Sequence, residues 1–324
     1  MFLKKIKIGV IGAGHLGRFH AQNYSQIPAA ELVGVMDISP IRAETVAMES
    51  HCRAYSNLED LLNHVDAASV AVPTDKHHEV CSQVLNRGVH CLVEKPISQT
   101  VQEAEELIAL AKRKNLNLHV GHVERFNPGI LALNGFPMNP LFIEAHRLAP
   151  FNPRGTEVAV ILDLMIHDID LALHFVKSPV ERVDANGVAV VSNSVDIANA
   201  RIRFRNGCVA NLTASRISQK KMRKMRFFQK DAYVAVDFLE KNAEIYRLET
   251  VRNDADLVLG EIGIGENMRH VVYRRPDIPD VNGLKYELEA FVRSVHGEIV
   301  NAVTGEDGLR ALDVAMDVLR KMEA

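Results

Sequence analysis

The sequence has no strong excess of charge of either sign. Its 38 lysines and arginines against 41 aspartates and glutamates leave a net charge of −3. That balance gives no reason to expect a polyanionic partner or a membrane surface. Long apolar runs are missing as well: no stretch approaches the roughly 20 residues a membrane span needs. The opening MFLKKIKIGVIGAG sets two lysines before an apolar run. It passes straight into a glycine motif with no small-residue cleavage site, and so reads as a buried first strand. Cysteine is sparse. Cys52, Cys81, Cys91 and Cys208 form no CxxC pair and no zinc-like spacing, so no metal is expected and a reduced, cytoplasmic compartment fits. In that compartment the Asn211-Leu-Thr sequon is a chance match. There is no internal repeat and no low-complexity tract.

What is present is a chain of 324 residues, 47% hydrophobic and 24% charged. At about 100–200 residues per domain, that length predicts two domains. Up to Gly121, apolar runs alternate with helical patterns. Lys7–Ile11, Glu31–Met36, Ala68–Val72, His90–Val93 and Leu116–Val120 read as strands, and Ile41–Glu49, His77–Asn86 and Val101–Lys114 as helices. This alternation predicts βαβ units and a parallel sheet over residues 1–121. From residue 122 to 324 the character changes. A proline-containing loop leads to a strand at Leu141–Leu148 and a long helix over Thr156–Val176. Partly alternating runs follow at Val183–Val191, Ile197–Phe204, Cys208–Ile217, Lys224–Gln229, Tyr233–Phe238 and Ala243–Leu248. With a hairpin signal at Arg205-Asn-Gly, these predict an antiparallel sheet. Helical periodicity returns from Lys285.

Gly12-Ala-Gly-His-Leu-Gly17 directly follows the first strand and opens a helix. In that context Gly12 permits the tight turn, Gly14 lets the backbone approach a pyrophosphate, and Gly17 allows close helix–strand packing. The helix N-terminus offers N–H groups to phosphates. His15 and Leu16 belong to the same loop. Asp37, at the end of the second strand, either bonds the adenosine ribose hydroxyls or caps the next helix. An acid there repels a 2′-phosphate, which favours NAD, while nearby Arg42 leaves NADP open.

Glu94-Lys95-Pro96 ends the strand His90–Val93, where ligands of open α/β sheets bind, although such a tripeptide is unremarkable by composition. In the helix over Thr156–Val176, Asp163, His167 and Asp170 fall at i, i+4 and i+7 among apolar residues. They form either a buried structural network or a functional stripe, because charges in such surroundings are costly unless paired or used.

Together these pieces resemble the glucose–fructose oxidoreductase / inositol dehydrogenase / MocA family over nearly the whole chain. The resemblance rests on the glycine loop, on Val72-Pro73 followed by His77, and on Glu94-Lys95-Pro96. It continues through Arg125-Phe126-Asn127-Pro128 and Asp163-x-x-x-His167-Asp168-x-Asp170. It implies an N-terminal Rossmann domain and a C-terminal substrate-binding and oligomerisation domain built on a large, open, mostly antiparallel sheet. Tyr286-Glu-Leu-Glu-Ala-Phe resembles the family's helix that returns to the first domain. The resemblance further implies that Lys95 is catalytic, and that Asp163 and His167 match an acid–histidine pair. A finer resemblance is to bacterial UDP-N-acetylglucosamine 3-dehydrogenases of lipid A precursor synthesis. It rests on Val120-Gly-His-Val-Glu-Arg-Phe-Asn-Pro128, Ile161–Asp170 and Asn211-Leu-Thr-Ala-Ser-Arg-Ile217.

The expected reaction is hydride transfer from a sugar hydroxyl to a nicotinamide. His167 is a natural base near neutral pH, Asp163 could orient it, and Lys95 could stabilise the alkoxide or take the proton itself. Pro73, Thr74 and His77 are expected to line the cofactor cleft, although His77 and His78 could equally be solvated helix-start residues. The cations of Lys220-Lys-Met-Arg-Lys-Met-Arg226 read as a solvated sheet edge or as a diphosphate site. Arg125, Arg147 and Arg154 are further candidates for the substrate. The rival functions are dehydrogenation of a free sugar, inositol or another cyclic polyol, and a catalytically silent NAD-binding regulator. An apolar open sheet face predicts a homodimer or homotetramer.

Overall fold

The computed structural model describes residues 4–152, 158–250 and 257–323. The chain divides into two compact units, Met1–Phe126 with Val281–Asp313, and Asn127–Asp280 with Val314–Ala324.

The first unit is built on a parallel sheet of six strands. These are β1 (Ile6–Ile11), β2 (Ala30–Met36), β3 (Arg53–Tyr55), β4 (Ala67–Val70), β5 (His90–Glu94) and β6 (Leu118–Gly121), in the order β3-β2-β1-β4-β5-β6. The crossover helices are α1 (His15–Tyr24), α2 (Pro40–Glu49), α3 (Leu58–Leu62), α4 (His77–Asn86) and α5 (Val101–Lys114). Every residue of β4 is buried, which is why its sequence is a run of small residues rather than an alternation, its one hydroxyl, on Ser69, being bonded to that of Tyr24 at 2.8 Å. The strand order reverses between β1 and β4, opening a crevice at their carboxyl ends.

The division falls at Phe126 rather than Gly121. Val123–Phe126 forms a 3-10 turn whose Phe126 ring lies 6.0 Å from that of Tyr286, within the same unit. Further along the chain, α8 (Gly283–Val295) places Leu288, Phe291 and Val292 in one apolar cluster with Ile8, Val10 and Tyr24. The amide of Val120 donates to the Val303 carbonyl at 3.0 Å, so the segment after α8 covers the β6 edge. The last helix, α9 (Gly305–Glu323), starts in this unit.

The second unit holds α6 (Pro128–Leu131), β7 (Phe142–Leu148), α7 (Ile166–Val176) and then β8 (Val180–Val188), β9 (Ile197–Phe204) and β10 (Val209–Ser215). After these come β11 (Met222–Phe228), β12 (Ala232–Asp237), β13 (Asn242–Glu249), β14 (Leu257–Ile262) and β15 (Arg269–Arg274). The nine strands pair in the order β14-β15-β13-β12-β11-β7-β10-β9-β8, antiparallel except for β10 with β7. The Arg205-Asn-Gly signal closes the β9–β10 hairpin, with Gly207 at φ +87°.

Two expectations change here. The basic stretch is not an edge strand: β11 lies inside the sheet between β12 and β7. Its outward cations survive because they are neutralised across the strands, Arg226 by Glu144 at 2.7 Å and Lys224 by Asp237 at 3.1 Å. The long helix is not one regular helix either. Ile161–Met165 is wound as a π-turn before α7 begins, and Thr156 lies outside the described residues. The i, i+4, i+7 stripe assumed a uniform 3.6-residue turn; with a wider turn in its path, Asp163 and His167 are half-buried and Asp170 is buried.

Candidate active site

The glycine loop is shaped by backbone contacts that no side chain would tolerate. Gly12 sits at φ +97°, and a Cβ there would lie 2.5 Å from the Ala71 carbonyl oxygen. A Cβ on Gly17 would lie 1.7 Å from the Gly12 carbonyl oxygen, so Gly17 lets α1 close onto the loop. A Cβ on Gly14 would meet nothing within 4 Å. Gly14 therefore faces open space, at the N-cap of a helix that receives no side-chain cap. Uncapped amides aimed at an empty approach are suited to an anionic ligand.

That approach is a cavity of about 750 Å³ in the first unit, and Gly12, Gly14, His15, Leu16, Asp37 and Pro73 all line it. Asp37 has two duties. Its Oδ2 accepts from the Ala13 amide at 2.7 Å, tying the end of β2 to the glycine loop. Its Oδ1 accepts from the Ser39 amide at 2.8 Å and from Arg42 Nη2 at 2.9 Å. Burial raises the pKa of this carboxyl, but the two backbone donors and the Arg42 guanidinium outweigh burial and hold it below the usual carboxylate range. Asp37 thus stays anionic at the cavity wall. The open Gly14, the uncapped amides and this carboxylate fit a dinucleotide with a free ribose diol.

Gly17, Thr74, His77, Glu94 and Lys95 do not line that cavity. Thr74 begins a short 3-10 turn before α4. His77 is neither exposed nor in the cleft. It is 1% exposed, with Nδ1 2.8 Å from the Pro96 carbonyl oxygen and Nε2 3.0 Å from that of Val72. Burial lowers its pKa, so the neutral ring donates its single N–H to one of these carbonyls and packs against the other, between two strand-end loops. His78 is the solvated neighbour, paired with Glu106. Glu94 is buried; its Oε1 meets His20 Nε2 at 2.9 Å, and its Oε2 accepts from the Lys95 amide at 3.2 Å. Burial pushes its pKa up, and the His20 hydrogen bond and charge, with Lys95, more than reverse that push. Lys95 leaves the sheet at the carboxyl end of β5, half-buried, and the Lys95–Pro96 bond is cis.

In the second unit, Asp163 lies on the π-turn and His167 on the first turn of α7. Arg147 was expected to meet substrate. Instead it is 2% exposed and grips Asp168 with two bonds, Nε–Oδ2 at 2.9 Å and Nη2–Oδ1 at 2.8 Å. A fork occupied by a buried carboxylate is not open to a diphosphate. Arg125 is buried in the first unit beside Asp307 at 3.6 Å, so its charge too has an internal partner. Arg154 lies outside the described residues.

His20 and Asp168 are the participants that sequence reasoning missed. His20 had a legible signal: with Gly17, Ala21 and Tyr24 it makes up the buried stripe of α1, and a histidine on such a stripe needs a partner. Asp168 belonged to a quoted motif, but its partner lies on a distant strand that no local pattern identifies.

Two family models match the chain. Residues 6–122 match the oxidoreductase family with an NAD-binding Rossmann fold, and residues 143–234 match the GFO/IDH/MocA C-terminal domain. Among characterised relatives, a UDP-N-acetylglucosamine 3-dehydrogenase of Acidithiobacillus ferrooxidans is 40% identical over 98% of both chains. Its solved structure superposes with a TM-score of 0.88 at 38% identity, covering 100% of this chain and 99% of that one. A myo-inositol 2-dehydrogenase of Thermotoga maritima is 25% identical over 98% of this chain and 96% of its own.

Proposed function

Because the chain belongs to the Gfo/Idh/MocA oxidoreductases, we propose that it oxidises the 3-hydroxyl of a UDP-N-acetylhexosamine with NAD as hydride acceptor. The observation that carries this reading is the 40% identity to a UDP-N-acetylglucosamine 3-dehydrogenase, sustained over 98% of both chains. The intact set Lys95, Asp163 and His167 favours an enzyme over a silent NAD-binding regulator.

Each residue has a task in this reading. The amides at the start of α1 hold the pyrophosphate, and Gly14 leaves room for its approach. Asp37 accepts from the ribose hydroxyls. NAD, when bound, takes the hydride that leaves the carbinol carbon. The Lys95 ammonium hydrogen-bonds the substrate oxygen and stabilises negative charge as it develops there. His167 takes the hydroxyl proton and Asp163 orients the imidazole, with Lys95 the competing acceptor for that proton. The products are the 3-keto sugar nucleotide, NADH and one proton. We place the enzyme in the cytoplasm, in the supply of lipid A precursors.

A homodimer or homotetramer completes the reading. A row on one face of the large sheet runs in register through Phe142, Phe228, Tyr233, Tyr246 and Tyr273. This face is less apolar than expected, since the ion pairs of Glu144 and Asp237 flank the row. A second copy of the chain would bury both. Light scattering at the 36.0 kDa monomer mass would overturn that assembly.

The test incubates the purified protein with NAD and UDP-N-acetylglucosamine, UDP-glucose, glucose or myo-inositol, following NADH absorbance with a ketone trap to pull an uphill oxidation. Lys95→Met is the blank. Signal with UDP-N-acetylglucosamine alone, absent in the variant, supports the proposal. Signal with glucose or inositol moves the function to free polyols, and turnover by Lys95→Met removes the lysine from the chemistry.

A further inference from the structure

We infer that His20 and His77 are positioning residues for Lys95, bracing the Glu94-Lys95-Pro96 turn from its two sides. The inference rests on the reading of Lys95 as catalytic. A lysine side chain has a long flexible stem, so the chain controls where its ammonium reaches chiefly by fixing the backbone it starts from. Just past β5, no sheet pairing holds that backbone.

On one side stands His20, fully buried on α1. Its Nε2 lies 2.9 Å from Glu94 Oε1, while Glu94 Oε2 accepts from the Lys95 amide at 3.2 Å. One carboxylate therefore bridges the imidazole and the backbone of the lysine. A carboxylate only accepts, so the His20 proton sits on Nε2. His20 Nδ1 is buried without a hydrogen-bond partner. The carboxylate cannot swing aside: a Cβ on Gly121 of β6 would lie 3.1 Å from Glu94 Oε2, so Glu94 already packs against bare backbone.

On the other side stands His77 of α4. Nδ1 meets the Pro96 carbonyl at 2.8 Å and Nε2 the Val72 carbonyl at 3.0 Å. Val72 and Pro73 line the cofactor cavity, so this ring, donating to one carbonyl and packed on the other, fills the space between the cavity wall and the residue that follows the lysine. The two histidines come from different helices and hold the residues on either side of Lys95.

The test uses the intact protein with His20→Ala, His20→Gln, His77→Ala and His77→Gln. Displacing a reacting group by about 1 Å costs on the order of a hundredfold, so each Ala variant should lose about tenfold or more in kcat with UDP-N-acetylglucosamine. KM and NADH affinity should stay unchanged in the His20 variants. The Gln variants, whose amide N–H can donate to the same acceptors, should regain part of the loss. A second readout needs no substrate: the Lys95 amide should exchange slowly with solvent in the wild type and faster in His20→Ala. Folded Ala variants with wild-type kcat, or Lys95 exchange unaltered by His20→Ala, overturn the brace. Retained activity in Lys95→Met overturns the catalytic reading instead, so the two failures are distinguishable.

Discussion

The Arg147–Asp168 pair separates a substrate contact from an internal one. Both side chains are nearly sealed, 2% and 3% exposed, and both bonds of the fork are at charge-assisted length. Arg147 also lies over the Phe238 ring, its Cζ 5.4 Å from the centroid. Removing one partner, as in Asp168→Ala, breaks a buried, doubly bonded charge pair and should cost about 3–5 kcal/mol. Arg147→Met should cost a similar amount, because it breaks the same pair from the other side. Replacing both at once, Arg147→Met with Asp168→Leu, removes the charges together and should recover most of that loss. Urea unfolding followed by circular dichroism, on the singles and the double, measures the coupling. His167 is the chain neighbour of Asp168, so the singles should also lose kcat as α7 shifts, while KM for UDP-N-acetylglucosamine stays put. A double variant no more stable than the singles would refute the buried pair. Arg147→Met that folds normally and raises only that KM would restore the arginine to the substrate.

Acid should loosen the first unit. Burial pushes His119 down to about 4, with His90 beside it adding to the shift, and burial also lowers His77 and His90. Histidines kept neutral by the fold lend stability above their unfolded pKa of about 6.5, and it is lost as pH falls from there toward the folded value. For His119 alone this amounts to about 2 kcal/mol at pH 5; a urea midpoint equal at pH 7.5 and 5, or a His119→Gln variant with the wild-type slope, would contradict it. Asp37→Ser should shift cofactor preference toward NADP by about tenfold, or about 1.4 kcal/mol, since it removes a carboxylate and releases Arg42; unaltered preference in paired KM measurements would count against that role. The two glycine variants should part company. Gly17→Ala should lose stability and NADH binding together, because its Cβ meets the Gly12 carbonyl, whereas Gly14→Ala should melt normally and lose NADH affinity alone.

The first unit was readable because its signals are local. A strand that must be buried on both faces is a run of small, mostly apolar residues, and a pyrophosphate turn needs glycine where Gly12 and Gly17 stand. What failed was long-range or depended on winding. Lys220–Arg226 has the composition of an edge strand, yet β11 is central, because the acids that neutralise it sit on β7 and β12. The stripe of Asp163, His167 and Asp170 relied on a constant helical period, and the π-turn at Ile161–Met165 interrupts it. Strands β14 and β15 gave no clear alternation, since β14 is exposed on both faces and pairs only with β15.

Two of the arginines, Arg147 and Arg125, have internal partners for a reason with wider use. A cation predicted at an anionic substrate and a cation closing a buried ion pair have the same composition, and the identity of the second charge decides between them. For Arg147 that charge is Asp168, 21 residues away on another element; for Arg125 it is Asp307, reached only because the chain returns to β6 after α8. Histidines behave in the same way. His77 reads locally as a helix start, and its burial becomes intelligible only when the Pro96 carbonyl arrives from 19 residues on. A motif residue therefore identifies where chemistry is concentrated, while its partner across the fold decides whether it touches the substrate or holds the residue that does.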